Sequence, residues 1–220
     1  LSAATGGAVN PLVADSLAAL GYDADYSLVP GDPVRAPGAW EQDVSWTDAD
    51  VTASAPALID VGALGKGRLV DLVAAALAAV PGDLVVDAGG DIRVRGSGVR
   101  IGLEHPYDPT KAIGVVDVHD QALCASAINR RAWGSGLHHV LDARTGMPVR
   151  TWAATWAWAP ETMTADAVAT ALFFDGGVEL AAMWNVEWVR MSTDGRVQRS
   201  PGCPAELFVT AGPSHPSGRN

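Results

Sequence analysis

Residues 84–103 read LVVDAGGDIRVRGSGVRIGL. Three apolar runs, Leu84–Ala88, Ile92–Arg95 and Val99–Leu103, are separated by Gly89-Gly90-Asp91 and Gly96-Ser97-Gly98. Connections this short join antiparallel strands, because a parallel pair needs a crossover of a dozen residues or more. Toward the C-terminus, Ile113–Val118 and Ala122–Ala127 continue the pattern, and His139–Leu141 and Ala153–Trp158 are further candidate strands. Val186–Met191 and Arg196–Arg199, joined across Thr193-Asp194-Gly195, read as a closing hairpin.

Helices are fewer. Asn10 as a cap, Pro11 at a first helical position and Gly21 at an exit frame one helix. Leu69, Val70, Val73, Ala74 and Leu77 recur at helical spacing until Pro81-Gly82 stops a second. Thr164–Phe174 predicts a third, ending before Gly176-Gly177, and Val178–Met183 a short fourth. Residues 29–56 read as loops with at most short strands. Ala57–Asp60 reads as a strand end entering a glycine-bearing loop, and the segment after Gly212 as a loose terminus. With no repeat and no linker, the expectation is a single α+β domain built on a largely antiparallel sheet with packed helices.

The 220 residues are 48% hydrophobic and 18% charged, which suits a globular chain. Fifteen Lys and Arg face 25 Asp and Glu, for a net charge of −10. That balance argues against a protein that neutralises nucleic-acid phosphates or adheres to anionic membranes. Cys124 and Cys203 lack metal-ligand spacing, and one disulfide or two free thiols both remain open. No apolar run reaches the ~18 residues of a transmembrane helix, and no signal peptide is visible. The chain begins at Leu1, and an upstream segment is expected to have preceded it.

Four segments could carry chemistry. In TADAVAT, residues 164–170, Asp166 and Thr170 project within roughly 40° of each other on a helix. Val168 and Leu172 fall on the opposite, core side. Thr164 can cap this helix, leaving Asp166 in its first turn. A carboxylate and a hydroxyl on one face offer hard oxygen ligands for Mg²⁺; alternatively, Asp166 merely complements the helix dipole. In IDVGALGKG, residues 59–67, three glycines, Lys66 and a following helix N-terminus make an anion cradle or a plain turn. The segment lacks the Ser or Thr of a phosphate-binding Walker loop. In HHVLDARTG, residues 138–146, His139 and Asp142 could move protons or bind metal, or serve structure. Gly134-Ser135-Gly136 lacks the spacing of a hydrolase nucleophile elbow. In DAGGD, residues 87–91, the glycines permit close ligand approach and the carboxylates could meet ribose hydroxyls. Trp152, Trp156 and Trp158 share one face of a predicted strand, where core packing is their expected role.

The order of these segments resembles the ApbE family of FAD:protein FMN transferases. That family carries an A-F-D-P-T segment, then D-L-G-x-I-A-K-G, a G-G-N/D-I turn, H-I-I-D-P-R-T-G and T-A-D-A-x-A-T. The counterparts here are Ala8 to Leu12, Asp60 to Gly67, Gly89 to Ile92, His139 to Gly146 and Thr164 to Thr170. The resemblance implies a T-fold-like architecture. It also implies an FAD substrate, a Mg²⁺ ion, and an acceptor protein that receives FMN on a Ser or Thr with release of AMP. It implies metal ligation by Asp166, Thr170 and the carbonyl of Ala63. It implies FAD contacts from Ala8, Val9, Asn10, Asp60, Lys66, Gly89, Gly90, His139 and Val140. His139 or Asp142 is then the base. Alternatives are an FAD pyrophosphatase yielding FMN and AMP, and a non-catalytic FAD-binding module. Asn10 stands where the family has aspartate, and Ser126-Ala127 where it has Ser-Gly. The family's N-terminal Met-Gly-Thr portion has no counterpart in the sequence, so an open or incomplete pocket is expected. The compartment stays open between cell envelope and cytoplasm.

Overall fold

A computed structural model describes residues 1–208. In chain order the elements begin with α1 (Ala14–Ala19), α2 (Trp40–Asp43), β1 (Val44–Trp46), β2 (Val51–Ala53) and α3 (Gly65–Ala76). The predicted strands follow as β3 (Leu84–Asp87), β4 (Asp91–Arg95), β5 (Val99–His105), β6 (Asp108–Val118) and β7 (Ala122–Ala127). Contrary to expectation, β4 and β5 do not pair across Gly96-Ser97-Gly98 but lie in different sheets. Short pieces β8 (Ala132–Trp133), β9 (Leu137–His138), β10 (Leu141–Asp142) and β11 (Met147–Pro148) lead into β12 (Trp152–Ala159). The chain then forms α4 (Thr162–Ala171), α5 (Gly177–Met183), β13 (Glu187–Ser192), β14 (Val197–Arg199) and β15 (Glu206–Leu207).

Six strands form the central sheet in the order β14-β13-β12-β7-β4-β3, with every neighbouring pair antiparallel. A second sheet, β15-β6-β5, lies against one face of it. The expected α+β class and antiparallel sheet are what the chain forms.

Strand β12 shows why the layers pack as they do. Its successive side chains alternate between faces. Ala154, Trp156 and Trp158 point into the core shared with Leu103, Ile113, Val116 and Val118 of the smaller sheet. Ala157 and Ala159 face α4, where Ala165, Val168, Ala169 and Leu172 lie against them. Small residues on both sides let the helix sit close to the sheet. Thr155 fixes its position by donating to the Ala169 carbonyl at 2.6 Å.

Several boundaries differ from expectation. The first helix starts at Ala14, not Pro11. Asn10 accepts from the Leu12 amide at 2.9 Å and donates to the Pro37 carbonyl at 2.8 Å, so it closes a local turn instead of capping a helix. Residues 57–60 are not a strand, and 139–140 link β9 to β10. Trp152 leaves the face of Trp156 because the register shifts between Trp152 and Ala154; it stacks under the Arg190 guanidinium at 3.8 Å instead. Cys124 and Cys203 are free thiols. The terminus after Gly212 lies outside the described residues. Among those described, no helix is long and apolar enough to cross a membrane.

Candidate active site

The site is built where α3 meets α4. A Cβ on Gly67 would come within 2.5 Å of the Thr162 carbonyl, 2.7 Å of the Asp166 Cβ and 2.8 Å of the Met163 Cα, so only glycine lets the helices touch here. One turn along α3, the Asp71 carboxylate accepts the backbone N–H groups of Thr162 and Met163, each at 2.9 Å. Helix α4 is therefore capped by a residue of another helix. Thr164, the expected cap, lies inside the helix, and Asp166 is its fifth residue instead of sitting in the first turn.

Asp166 is 1% exposed, and its Oδ2 accepts the Gly67 N–H at 2.9 Å. In a regular helix that N–H would go to the Ala63 carbonyl, four residues back. Among the described residues no backbone N–H takes the Ala63 oxygen, which leaves it available to a ligand. Thr170 lies one turn beyond Asp166 on the same helix, half-buried. The three groups singled out for metal binding thus belong to one junction.

Its electrostatics are unbalanced. Burial, reinforced by the negative charge of Asp91, pushes the Asp166 carboxyl up to about 6, against the pull of the Gly67 amide and Lys66. Asp91 is 1% exposed and ion-paired with Lys66. Its Oδ1 is buried without a hydrogen-bond partner. Two buried carboxylates share one lysine. Cys124 stands beside them with a thiol raised well above its usual range by burial first and then by Asp91 and Asp166, which makes it unreactive.

A cleft of about 610 Å³ opens over this junction, within the ~300–1,000 Å³ common for small-molecule sites. It is lined by Ala8, Val9 and Asn10 from the first segment, by the 59–64 bend including Asp60 and Ala63, and by Lys66 and Gly89. His139, Val140, Asp166 and Thr170 complete the predicted part of the wall. Asp60 turns the bend by accepting the Gly62 N–H at 2.7 Å, while its own N–H donates to the Pro11 carbonyl at 2.7 Å. That second bond ties the bend to the N-terminal segment. His139 is half-buried, and burial, with the charge of Arg131, lowers its imidazole to about 4. The ring is neutral at pH 7, and its Nδ1 is buried without a partner.

Two expected residues are not in the lining. Asp142 is turned to Arg144, which donates to its carboxylate from Nη2 at 2.6 Å and from Nε at 2.9 Å. Of the two candidate bases, His139 is the one that faces the cleft. Gly90 closes the β3–β4 turn with φ 107° and borders a narrow neighbouring recess. Asp87 accepts the amides of Gly89 and Gly90, and Asp91 holds Lys66, so the carboxylates of this turn are already engaged. Sequence reading missed the aromatic wall of Tyr22, Trp40, Phe173 and Phe174 and the basic rim of Arg130 and Arg131. Phe173-Phe174 at the end of a helix carrying Asp166 and Thr170 was a usable signal; Trp40, within a loop-like stretch, offered none.

The ApbE family profile matches residues 1–190. The chain belongs to the ApbE family. A curated relative from Rhodobacter capsulatus, FAD:protein FMN transferase, is 28% identical over 94% of this chain. The chain spans 43% of that relative's length. Among solved structures, the ApbE protein of Thermotoga maritima superposes with a TM-score of 0.78 at 24% identity, covering 91% of this chain and 72% of its own. The apo flavinyl transferase ApbE of Pseudomonas stutzeri gives 0.70 at 21% identity over 91% of this chain and 69% of its own. The flavin transferase ApbE of Vibrio cholerae gives 0.68 at 20% over 91% and 71%. These likenesses establish the shared fold.

Proposed function

We propose that the chain transfers FMN from FAD to a Ser or Thr hydroxyl of an acceptor protein, with a divalent cation such as Mg²⁺ bound at the α3–α4 junction. The observation that carries this reading is the convergence on one cleft of the free Ala63 carbonyl, the Asp166 carboxylate and the Thr170 hydroxyl, with Lys66 and His139 beside them. The donor set fits the cation. All three atoms are hard oxygens, and the surplus of buried negative charge at Asp166 and Asp91 favours an added positive ion. Among the described residues no cluster of three or more His, Cys, Asp or Glu could hold a metal. The protein would thus supply few ligands and leave positions for phosphate and water, as Mg²⁺ prefers. When bound, the ion would neutralise charge developing on the phosphoryl oxygens.

The chain's own groups account for the remainder. The aromatic wall and the backbone of the 60–64 bend receive an aromatic dinucleotide, and Lys66 places a positive charge toward its diphosphate. The acceptor hydroxyl oxygen bonds to the phosphorus of the FMN half, and its proton passes to neutral His139. The bridging P–O bond breaks, and AMP leaves with the bridging oxygen. His139 needs no prior deprotonation for this, because it is already uncharged at neutral pH.

The test is incubation with FAD, Mg²⁺ and candidate acceptors, read by the mass gain of FMN on Ser or Thr. Loss of transfer in Asp166→Asn and Thr170→Val is expected. Release of free FMN without acceptor would support the pyrophosphatase reading, and unchanged FAD despite tight binding the non-catalytic one.

A further inference from the structure

Asp91 has entered so far only as buried negative charge near the cation site, yet it occupies an unusual position. It begins β4, opposite Cys124 of β7 in the ladder, and is sealed from solvent at 1% exposure. Its Oδ2 is paired with the Lys66 ammonium, while its Oδ1 is buried with no partner. Lys66 is 40% exposed and lines the cleft. A lysine is a point charge on a flexible four-carbon stem, and with water on one side it would sample many positions. Here one end of that freedom is removed by a carboxylate fixed in a strand. The arrangement is costly as pure structure. A half-satisfied buried carboxylate beside a second one is less stable than an amide or an apolar side chain in the same place.

We propose that Asp91 is a positioning residue for the transfer reaction: it anchors Lys66 so that the ammonium is held at the cleft wall where the diphosphate binds. The inference rests on the proposed FMN transfer. Asp91 itself touches neither substrate nor cation; with the cation site saturated, its effect on turnover runs through Lys66. Two consequences follow. Removing the Asp91 charge impairs turnover more than FAD capture, because the aromatic wall supplies most of the binding surface. At saturating Mg²⁺ its removal also costs nothing further once Lys66 is gone.

The experiment is a double-mutant cycle with Asp91→Asn, which keeps the side-chain shape, Lys66→Met and the pair. The readouts are kcat and KM for FAD in FMN transfer, together with thermal unfolding. Asp91→Asn is expected to lower kcat roughly 10- to 100-fold, with KM changed less than about threefold. The double variant should be no slower than Lys66→Met alone. Losses that multiply in the double variant, or full kcat in Asp91→Asn, would overturn the assignment. Should Asp91→Asn fold poorly, the smaller Asp91→Ser carries the same test. If the wild-type chain turns over no FAD with any acceptor, the transfer reading fails by itself. The cycle is then read on FAD binding with Mg²⁺: non-additive losses keep the Lys66–Asp91 coupling, and additive ones reject it.

Discussion

The Gly67 amide donates to the Asp166 carboxylate at 2.9 Å, and the two residues are 99 positions apart in the chain. This one bond does three things. It draws α3 against α4, gives the Gly67 N–H an acceptor outside its own helix, and leaves the Ala63 carbonyl, four residues back, without that donor. The candidate metal site is thus a by-product of how two helices are fastened together.

Gly67→Ala tests that fastening. In an isolated helix the change would stabilise by about 1 kcal/mol. At this position the new methyl meets backbone atoms of α4 at 2.5 to 2.8 Å, which cannot swing aside. Overpacking of this kind costs about 1–3 kcal/mol, so it outweighs the propensity gain. The expected result is a lower unfolding midpoint in denaturant together with weaker Mg²⁺ binding by calorimetry. Unchanged stability would mean that the helices do not pack this closely.

Asp71→Ala should act on the same junction from the other side. Its carboxylate is the cap for the first two amides of α4, and Glu161, at the N-cap position, makes no side-chain bond. Loss of a cap costs about 1–2 kcal/mol. Asp71→Asn keeps one acceptor oxygen and should lose about half as much. Chemical denaturation of the three proteins orders them wild type, Asn, Ala. If Asp71→Ala matched wild type, water would be serving the two amides equally well.

Much of this was readable in the sequence, for definable reasons. The antiparallel class followed from turns such as Gly89-Gly90, which pairs β3 with β4. Gly96-Ser97-Gly98 misled, because it carries the chain from one sheet to the other and β4 and β5 do not pair. That Asp166 and Thr170 share one side of α4 followed from helical periodicity, with Val168 and Leu172 opposite; that Asp166 is itself buried did not, because α3 covers it. What escaped was set by partners far along the chain. The Asp71 cap lies 91 residues from Thr162, and nothing near Thr162 announces it. The bend of β12 at Trp152 arises from pairing with β13 and not from its own composition. Strand β6 begins at Asp108, five residues before the apolar run at Ile113, because the polar 108–112 segment is carried by pairing with β5.

His139 predicts an acid limb in stability. Its imidazole is lowered to about 4 in the folded chain, against ~6.5 when unfolded. The folded state prefers the neutral ring, so this contribution is complete above pH 6.5 and is lost as pH falls toward 4. The loss is on the order of 3 kcal/mol. Asp166 works the opposite way: with its carboxyl raised to about 6, its contribution is present at low pH and fades as pH rises through that value. The two partly cancel in the wild-type curve. The informative measurement is therefore the stability difference between wild type and His139→Gln without metal, at pH 7 and at pH 4. The wild-type advantage should shrink by about 3 kcal/mol on acidification; a constant difference would show that His139 is solvated enough to titrate normally.

Asn10→Asp asks whether restoring the residue expected in the family restores anything here. Asn10 is 4% exposed, and its two functions need an amide: Oδ1 accepts from Leu12, and Nδ2 donates to the Pro37 carbonyl. A carboxylate keeps the first bond but sets a second oxygen against the carbonyl, and that oxygen is buried. Leaving a buried charged acceptor unpaired costs more than the ~1–3 kcal/mol typical of a neutral group. The penalty is electrostatic, so it should be relieved by protonation. The carboxyl introduced by Asn10→Asp would titrate above its unfolded value. The variant's stability would then be recovered at pH 4 and lost as pH rises toward 7. Melting curves at both pH values check this. Equal stability of the two proteins at pH 7 would mean that the 10–12 turn moves to let the carboxylate reach the cleft, and metal-dependent FAD binding should then strengthen in the variant.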